Sequence, residues 1–349
     1  MRIKKVEAFK TLASLGNETI KAKIALFNGI NEEALVPSGI SAGKYEVKNV
    51  TADEAITQIN RIKDILISQD WEQETLDKRL SELGLGGNVT LAISASFWKA
   101  NERIKVPASD LKFPNLMLLL FEGGKHGNPN IFIQEFMIIE KTLSGAISDF
   151  KRLRAYLENN NLASTVGAEG GFSPSGFNDI MILDTIKKVF PQKEIALDVA
   201  ANFRKERVAN FDLIISKYNI KSLEDPFTDE DWEQWSLFFS KFGKRLMIVG
   251  DDLTATNSER LQRAIDLRAI NAVIIKPNQN GTISGALKAV KIAKNKGLKI
   301  IVSHRGEETI DDWIVDFAVK VEADFVKFGG IERGERIAKY NRLLELGMQ

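Results

Sequence analysis

Cysteine is absent from all 349 residues. That excludes disulfides, thiolate nucleophiles and Cys-based zinc or iron–sulfur sites. An excess of charge of either sign is also missing: 48 basic residues face 47 acidic ones, a formal net of +1. Such a balance gives no global electrostatic reason to bind nucleic acid or an anionic membrane. Long apolar runs are lacking too, the greasiest being Leu116 to Phe121, far too short to span a bilayer. The opening MRIKKVEAFKTLASLGNETI is basic but has no apolar h-region of a secretory signal. A soluble, cytoplasmic protein is the expectation. What the chain does have is 44% apolar residues, ample for one large core or two domains.

The first part reads as α+β. Val6 to Leu12, Thr19 to Phe27 and Glu33 to Val36 look like short strands separated by Gly/Asn turns. Apolar spacing predicts helices over Ala52 to Ser68, Gln73 to Leu83 and Thr90 to Arg103, with Thr51 capping the first and Asn88 the last. A polar stretch, Lys105 to Lys112, looks like a link, so the domains are expected at 1–110 and 111–349.

Beyond Phe113 short apolar runs recur, each ending in a polar or charged residue. They are LMLLLFEGG, IFIQE, EIALD, IKSLED, LMIVGDD, AVIIK, KIIVSHR and DFVK, eight candidate strands. From Asp198 the endings fall at 224, 251, 276, 304 and 327, at intervals of 26, 27, 25, 28 and 23 residues. Amphipathic segments such as Ser258 to Leu267 and Ser284 to Lys296 lie between them. A strand–helix unit about every 25 residues suits a TIM-type (β/α)₈ barrel. A doubly wound open sheet also uses such units, but no G-x-G-x-x-G opens a helix here.

In such a barrel the active site lies at the carboxyl ends of the strands. Those ends carry Glu135, Asp198, Glu224, Asp251, Lys276, His304 and Lys327. Three acids on consecutive strands, Asp198, Glu224 and Asp251, would crowd their charges at a cost that an oxygen-ligated cation such as Mg²⁺ relieves. The bland alternative is that they pair with Lys276 and Lys327 or cap the following helices. A lysine beside a metal cluster has a lowered pKa and can act as a base; its bland role is a counter-charge. Of the two histidines, His304 ends a strand and precedes Arg305, whose planar fork suits phosphate or carboxylate. His126 lies in the Gly-rich EGGKHGN. The loop Pro37 to Gly43 could close over a ligand. Gly167-Ala168-Glu169-Gly170-Gly171 sets a carboxylate among glycines that allow close backbone approach.

These segments are recognisable together. PSGISAGKYE, GGKHGNPNIFIQEFMI, GAEGGFSP, ALDVAANF, LEDPFTDEDW, VGDDLTATN, IKPNQNGT, VSHRGEET and ERGERIAKYNRLLEL stand in order, and the chain resembles enolase over nearly its full length. The resemblance implies an N-terminal α+β cap on a barrel of ββαα(βα)₆ order. It implies Asp198, Glu224 and Asp251 as ligands of a first Mg²⁺, and Ser41 as a ligand of a second that arrives with substrate. Lys276 matches the base that takes the C2 proton of 2-phosphoglycerate. Glu169, with Glu135 beside it, matches the acid assisting loss of the C3 hydroxyl to give phosphoenolpyruvate. His126, His304, Arg305, Gly306 and Lys327 fall at substrate-contacting positions. A Lys or His base working with Mg²⁺ is a general property of the enolase superfamily rather than something read from this chain.

The chain departs from the family pattern at several points. Ala168 replaces an acid, Ala42 a threonine, and Gly306 a serine that helps bind phosphate. The segment from Asp198 to Glu224 is short. Leu15 stands where the family has an arginine of the subunit interface; the resemblance otherwise implies a homo-oligomer, dimeric or dimer-based. Two other readings compete with an active hydratase: a paralogue acting on a related acid, and a non-catalytic binding protein. Restoring a hydroxyl through Gly306→Ser is expected to lower KM for 2-phosphoglycerate.

Overall fold

The structure is a computed structural model that describes residues 1–40, 43–67, 69–104, 111–162, 165–203 and 210–349. Ser41, Ala42, the end of the first expected helix at Ser68, and most of the expected link with its 110/111 boundary lie outside the described residues.

The chain opens with β1 (Ile3–Leu12), β2 (Glu18–Leu26) and β3 (Asn31–Leu35), an antiparallel meander in that order. Helices α1 (Ala52–Ile67), α2 (Gln73–Glu82) and α3 (Gly87–Glu102) follow. In α1 the buried residues Ala52, Ala55, Ile59, Ile62 and Leu66 form one stripe at helical spacing. Thr51 caps it as expected, its Oγ1 accepting the Glu54 N–H at 3.3 Å. Asn88 does not cap α3, which starts a residue earlier. Its amide instead clasps the backbone of Val50, accepting from N–H at 3.1 Å and donating to C=O at 2.8 Å. Helix α3 is buried all round from Gly87 to Ala100, because this helix is packed on every side. Its Lys99 forms a buried ion pair at 3.0 Å with Asp311, across to the barrel.

The remaining elements are β4 (Asn115–Glu122), β5 (Glu135–Glu140), α4 (Leu143–Asn159), α5 (Asp179–Val189) and β6 (Ile195–Asp198). Then come α6 (Phe211–Lys217), β7 (Ile220–Glu224), α7 (Trp232–Phe242), β8 (Met247–Gly250) and α8 (Ser258–Asp266). The chain ends with β9 (Ala272–Ile275), α9 (Pro277–Asn280), α10 (Ile283–Asn295), β10 (Lys299–Ser303), α11 (Trp313–Lys320), β11 (Phe325–Lys327) and α12 (Gly334–Glu345). Strands β4 to β11 close into an eight-stranded barrel. All neighbours are parallel except β4 with β5 and β5 with β6. The order is therefore ββαα(βα)₆.

The apolar runs are continuous because both strand faces are buried. In β4, Met117 and Leu119 join the barrel lumen, while Leu116, Leu118 and Leu120 pack on the outer core. Strand alternation then aims the site. Glu135, Asp198, Asp251, Lys276 and Lys327 each stand two residues beyond a lumen side chain, namely Met137, Ala196, Val249, Ile274 and Phe325. They all project into the mouth.

One expectation needs correction. The run IFIQE suggests a strand ending in Glu135, but the strand begins at Glu135. Because β5 runs against its neighbours, its first residue sits at the rim where the others finish; Glu135 pairs with Asp198.

Candidate active site

Two buried ammonium groups organise the mouth. Lys327 Nζ lies 2.9 Å from Asp198 Oδ2, 2.9 Å from both Glu224 oxygens and 3.0 Å from Glu135 Oε2. Lys276 bonds the Asp251 carboxylate, whose other oxygen accepts from Gln279 Nε2 at 3.0 Å. Burial works against both ammonium groups. The surrounding carboxylates outweigh it, holding Lys276 above its ordinary value and Lys327 well above. The expected trio is thus divided: Asp198 and Glu224 share Lys327, and Asp251 is held by Lys276. Among the described residues, three carboxylates come within 4.8 Å of one another at Asp225, Asp251 and Asp252 instead, while Glu169 forms such groups with Glu135 and His304 and with Glu122 and His126.

On the other wall Glu169 faces both histidines. Its Oε2 is 3.3 Å from His126 Nδ1 and 3.5 Å from His304 Nε2. Glycine is required at 167, since a Cβ there would lie 2.5 Å from the His126 carbonyl oxygen and 2.3 Å from Glu122 Oε1. Glu122 in turn accepts the Glu169 N–H at 3.0 Å and so orients the loop. Burial favours the protonated form of Glu169, but the two facing imidazoles outweigh it and hold the carboxyl well below its usual range. Burial, reinforced by Arg336, lowers His304 to about 3.

Arg305 is already engaged. Its fork grips Glu46, from the loop after β3, at 2.9 and 3.0 Å, and bonds Asn278 at 3.1 Å. An incoming anion would have to share or displace that carboxylate. Gly306 is crowded: a Cβ would lie 2.8 Å from Ile40 Cγ1 and 3.4 Å from Glu169 Oε1. The gain expected from Gly306→Ser therefore needs room. We expect the single variant to leave KM unchanged or raised, and Gly306→Ser with Ile40→Ala to lower it, as steady-state kinetics on both would show.

Several residues were missed from sequence alone. Asp225, in the left-handed region at φ 41°, accepts the N–H groups of Asp251 at 3.0 Å and Asp252 at 2.7 Å. Non-glycine residues at positive φ cluster along the same rim: Ala200, Ala255 and Thr256 at 48°, 46° and 49°. Each costs about 1 kcal/mol or more, a strain typical of functional sites. The acid pairs in LEDP and GDD were the available signal for Asp225 and Asp252. Glu122 ends the apolar run LMLLLFEGG and so carried the same signal as the other strand ends, whereas Glu46, Gln279 and Arg336 carried none of this kind.

The donor chemistry fits a divalent cation. Among the described residues, seven carboxylates (Glu46, Glu135, Glu169, Asp198, Asp225, Asp251, Asp252) line the cavity with three cationic side chains, Lys276, Arg305 and Lys327. Burial and mutual repulsion push Glu135, Glu224 and Asp225 well above the usual carboxylate range, and Asp252 to about 7. All are hard oxygen donors of the kind Mg²⁺ takes. Ser41 lies outside the described residues.

Fold and site together define a TIM-barrel enzyme with a carboxylate–lysine centre. Residues 202–349 match the family described as enolase, C-terminal TIM barrel domain. The chain is 33% identical to enolases of Helicobacter pylori and Helicobacter acinonychis, with 99% of this chain and 96% of each relative covered. With the enolase of Helicobacter hepaticus it shares 31%, covering 99% and 95%. The chain belongs to the enolase family and is a lyase. The alignment with the Helicobacter pylori relative runs over 407 positions against 349 residues here, so that relative carries segments this chain lacks. Among the described residues no helix is long and apolar enough to cross a membrane.

Proposed function

We propose that the chain catalyses the reversible dehydration of 2-phosphoglycerate to phosphoenolpyruvate, with residues 1–110 as cap and 111–349 as the catalytic barrel. The observation that carries this reading is geometric: one cavity sets Lys276, bonded to Asp251, against Glu169, which faces His126 and His304 on the other wall. Lys276, an ammonium, and Glu169, a carboxylate, are what the hydration direction requires: an acid for C2 and a base for the water added at C3. In the dehydration direction each group must enter with its proton reversed. Lys276 then takes the C2 proton, and protonated Glu169, with Glu135 beside it, assists departure of hydroxide, a poor leaving group.

Asp198, Glu224 and Asp251 would hold a first Mg²⁺, and Ser41 would help to hold a second arriving with substrate. Bound there, Mg²⁺ would stabilise the charge that builds on the substrate carboxylate. With Asp251 engaged as a ligand, Lys276 would be free of its present counter-charge and able to act as a base. Lys327 is the natural partner of the substrate carboxylate. Arg305 would exchange Glu46 for phosphate, with His126, His304 and the backbone of Gly306 completing the contacts. We place the enzyme in the cytoplasm as a homo-oligomer.

A second reading rests on the Glu46–Arg305 pair and the missing hydroxyl at Gly306: an enolase-like lyase acting on a related acid. Phosphoenolpyruvate absorbance measured with 2-phosphoglycerate and Mg²⁺ separates the two. Sustained turnover is the expected result. Turnover confined to other hydroxy acids would favour the second reading, and metal binding without turnover on any acid would overturn both.

A further inference from the structure

Arg336 is completely buried on α12 and contacts the His304 ring. Its Nη1 is 2.8 Å from His304 Nδ1 and also donates to the Arg305 carbonyl at 2.6 Å. Its Nη2 donates to the carbonyls of Gly306 at 2.7 Å and Ala168 at 3.4 Å. One guanidinium thus ties together the end of β10 and the Glu169 loop.

A guanidinium has five N–H donors and no acceptor. The ring nitrogen facing it must therefore present a lone pair. We infer that Arg336 is a positioning residue that fixes His304 as the neutral Nε2–H tautomer, making it a permanent hydrogen-bond donor toward Glu169 and substrate. A proton on Nδ1 would meet another N–H, so neither the other tautomer nor the imidazolium keeps this bond. The consequence is chemical. With its lone pair turned to Arg336, His304 cannot accept a proton in the cavity, which leaves proton removal to Lys276. Its Nε2–H instead favours the carboxylate form of Glu169, the form set up for hydration. The role in turnover rests on the function proposed above, whereas the tautomer does not.

With only two histidines in the chain, ¹⁵N-histidine labelling gives two imidazole systems, and loss of one in His126→Gln assigns the other to His304. At neutral pH we expect a pyridine-type Nδ1 and a protonated, pyrrole-type Nε2 for His304 in the wild-type protein. A protonated Nδ1, alone or together with Nε2, would overturn the inference without any Arg336 variant being needed. Arg336→Lys keeps a donor and should keep the tautomer. Arg336→Met should mix the tautomers and lower kcat by about 10–100-fold, the scale on which removing the partner that orients a metal-bound histidine acts, with KM moving much less. An unchanged tautomer in Arg336→Met would show that Arg336 does not set it. Failure of 2-phosphoglycerate as substrate would sink the functional reading and leave the tautomer result intact.

Discussion

Lys276→Ala is expected to lower kcat by about 10²–10⁴, the usual contribution of a positioned base, while metal binding persists. The reason for the second half lies in the ion pair. Lys276 is the counter-charge of Asp251, and removing it leaves a buried carboxylate with Gln279 as its one side-chain donor among the described residues. Breaking one partner of a buried pair costs about 3–5 kcal/mol, so the metal-free variant should unfold earlier than wild type. A divalent cation would then gain a freed ligand, and its affinity should hold or rise. Exchange of the C2 proton with deuterated solvent gives a sharper check. Lys276→Ala should lose exchange and turnover together. Glu169→Gln should keep exchange while losing product, because it removes the acid for the leaving group and spares the base. Near-native turnover in Lys276→Ala would put the base elsewhere.

Metal removal should destabilise the protein more at pH 8 than at pH 6.5. Burial and neighbouring acids raise Glu122, Glu135, Glu224, Asp225 and Asp252, the last to about 7. A carboxyl raised in the folded state holds a proton there that it releases on unfolding. Stability is then lost as pH climbs from the unfolded value through the folded one. His304 has the opposite sign, since its lowered value weakens the folded state only below about pH 6.5, where the unfolded ring protonates. Above that pH it adds no slope, and Glu169 and Asp251, both lowered, are ionised in either state. Thermal unfolding without metal should therefore shift downward from pH 6.5 to 8. Mg²⁺ at a hundredfold over its Kd should contribute about 2.7 kcal/mol, or about 4 °C in Tm for a chain of this size. That gain should be larger at pH 8. A Tm that is insensitive to Mg²⁺ at both pH values would argue against a cation among these acids.

By itself the sequence determined the repeat of buried strands and most of the polar residues that stand at their ends. Two-sided burial writes a strand as a continuous apolar run, and the polar residue that ends it marks the rim. Asp198, Glu224, Asp251, Lys276 and Lys327 were legible for that reason. Strand direction was not, because an alternation of period two reads the same both ways; only closure of the sheet turned β5 round and brought Glu135 to the mouth from its amino end. Partnerships were equally hidden. Glu46 meets Arg305 across 259 positions of chain, Lys327 meets Asp198 across 129, and Arg336 meets His304 across 32. Charge type is local to a residue, but which charge it neutralises depends on where distant segments finish, and the tertiary structure alone decided that.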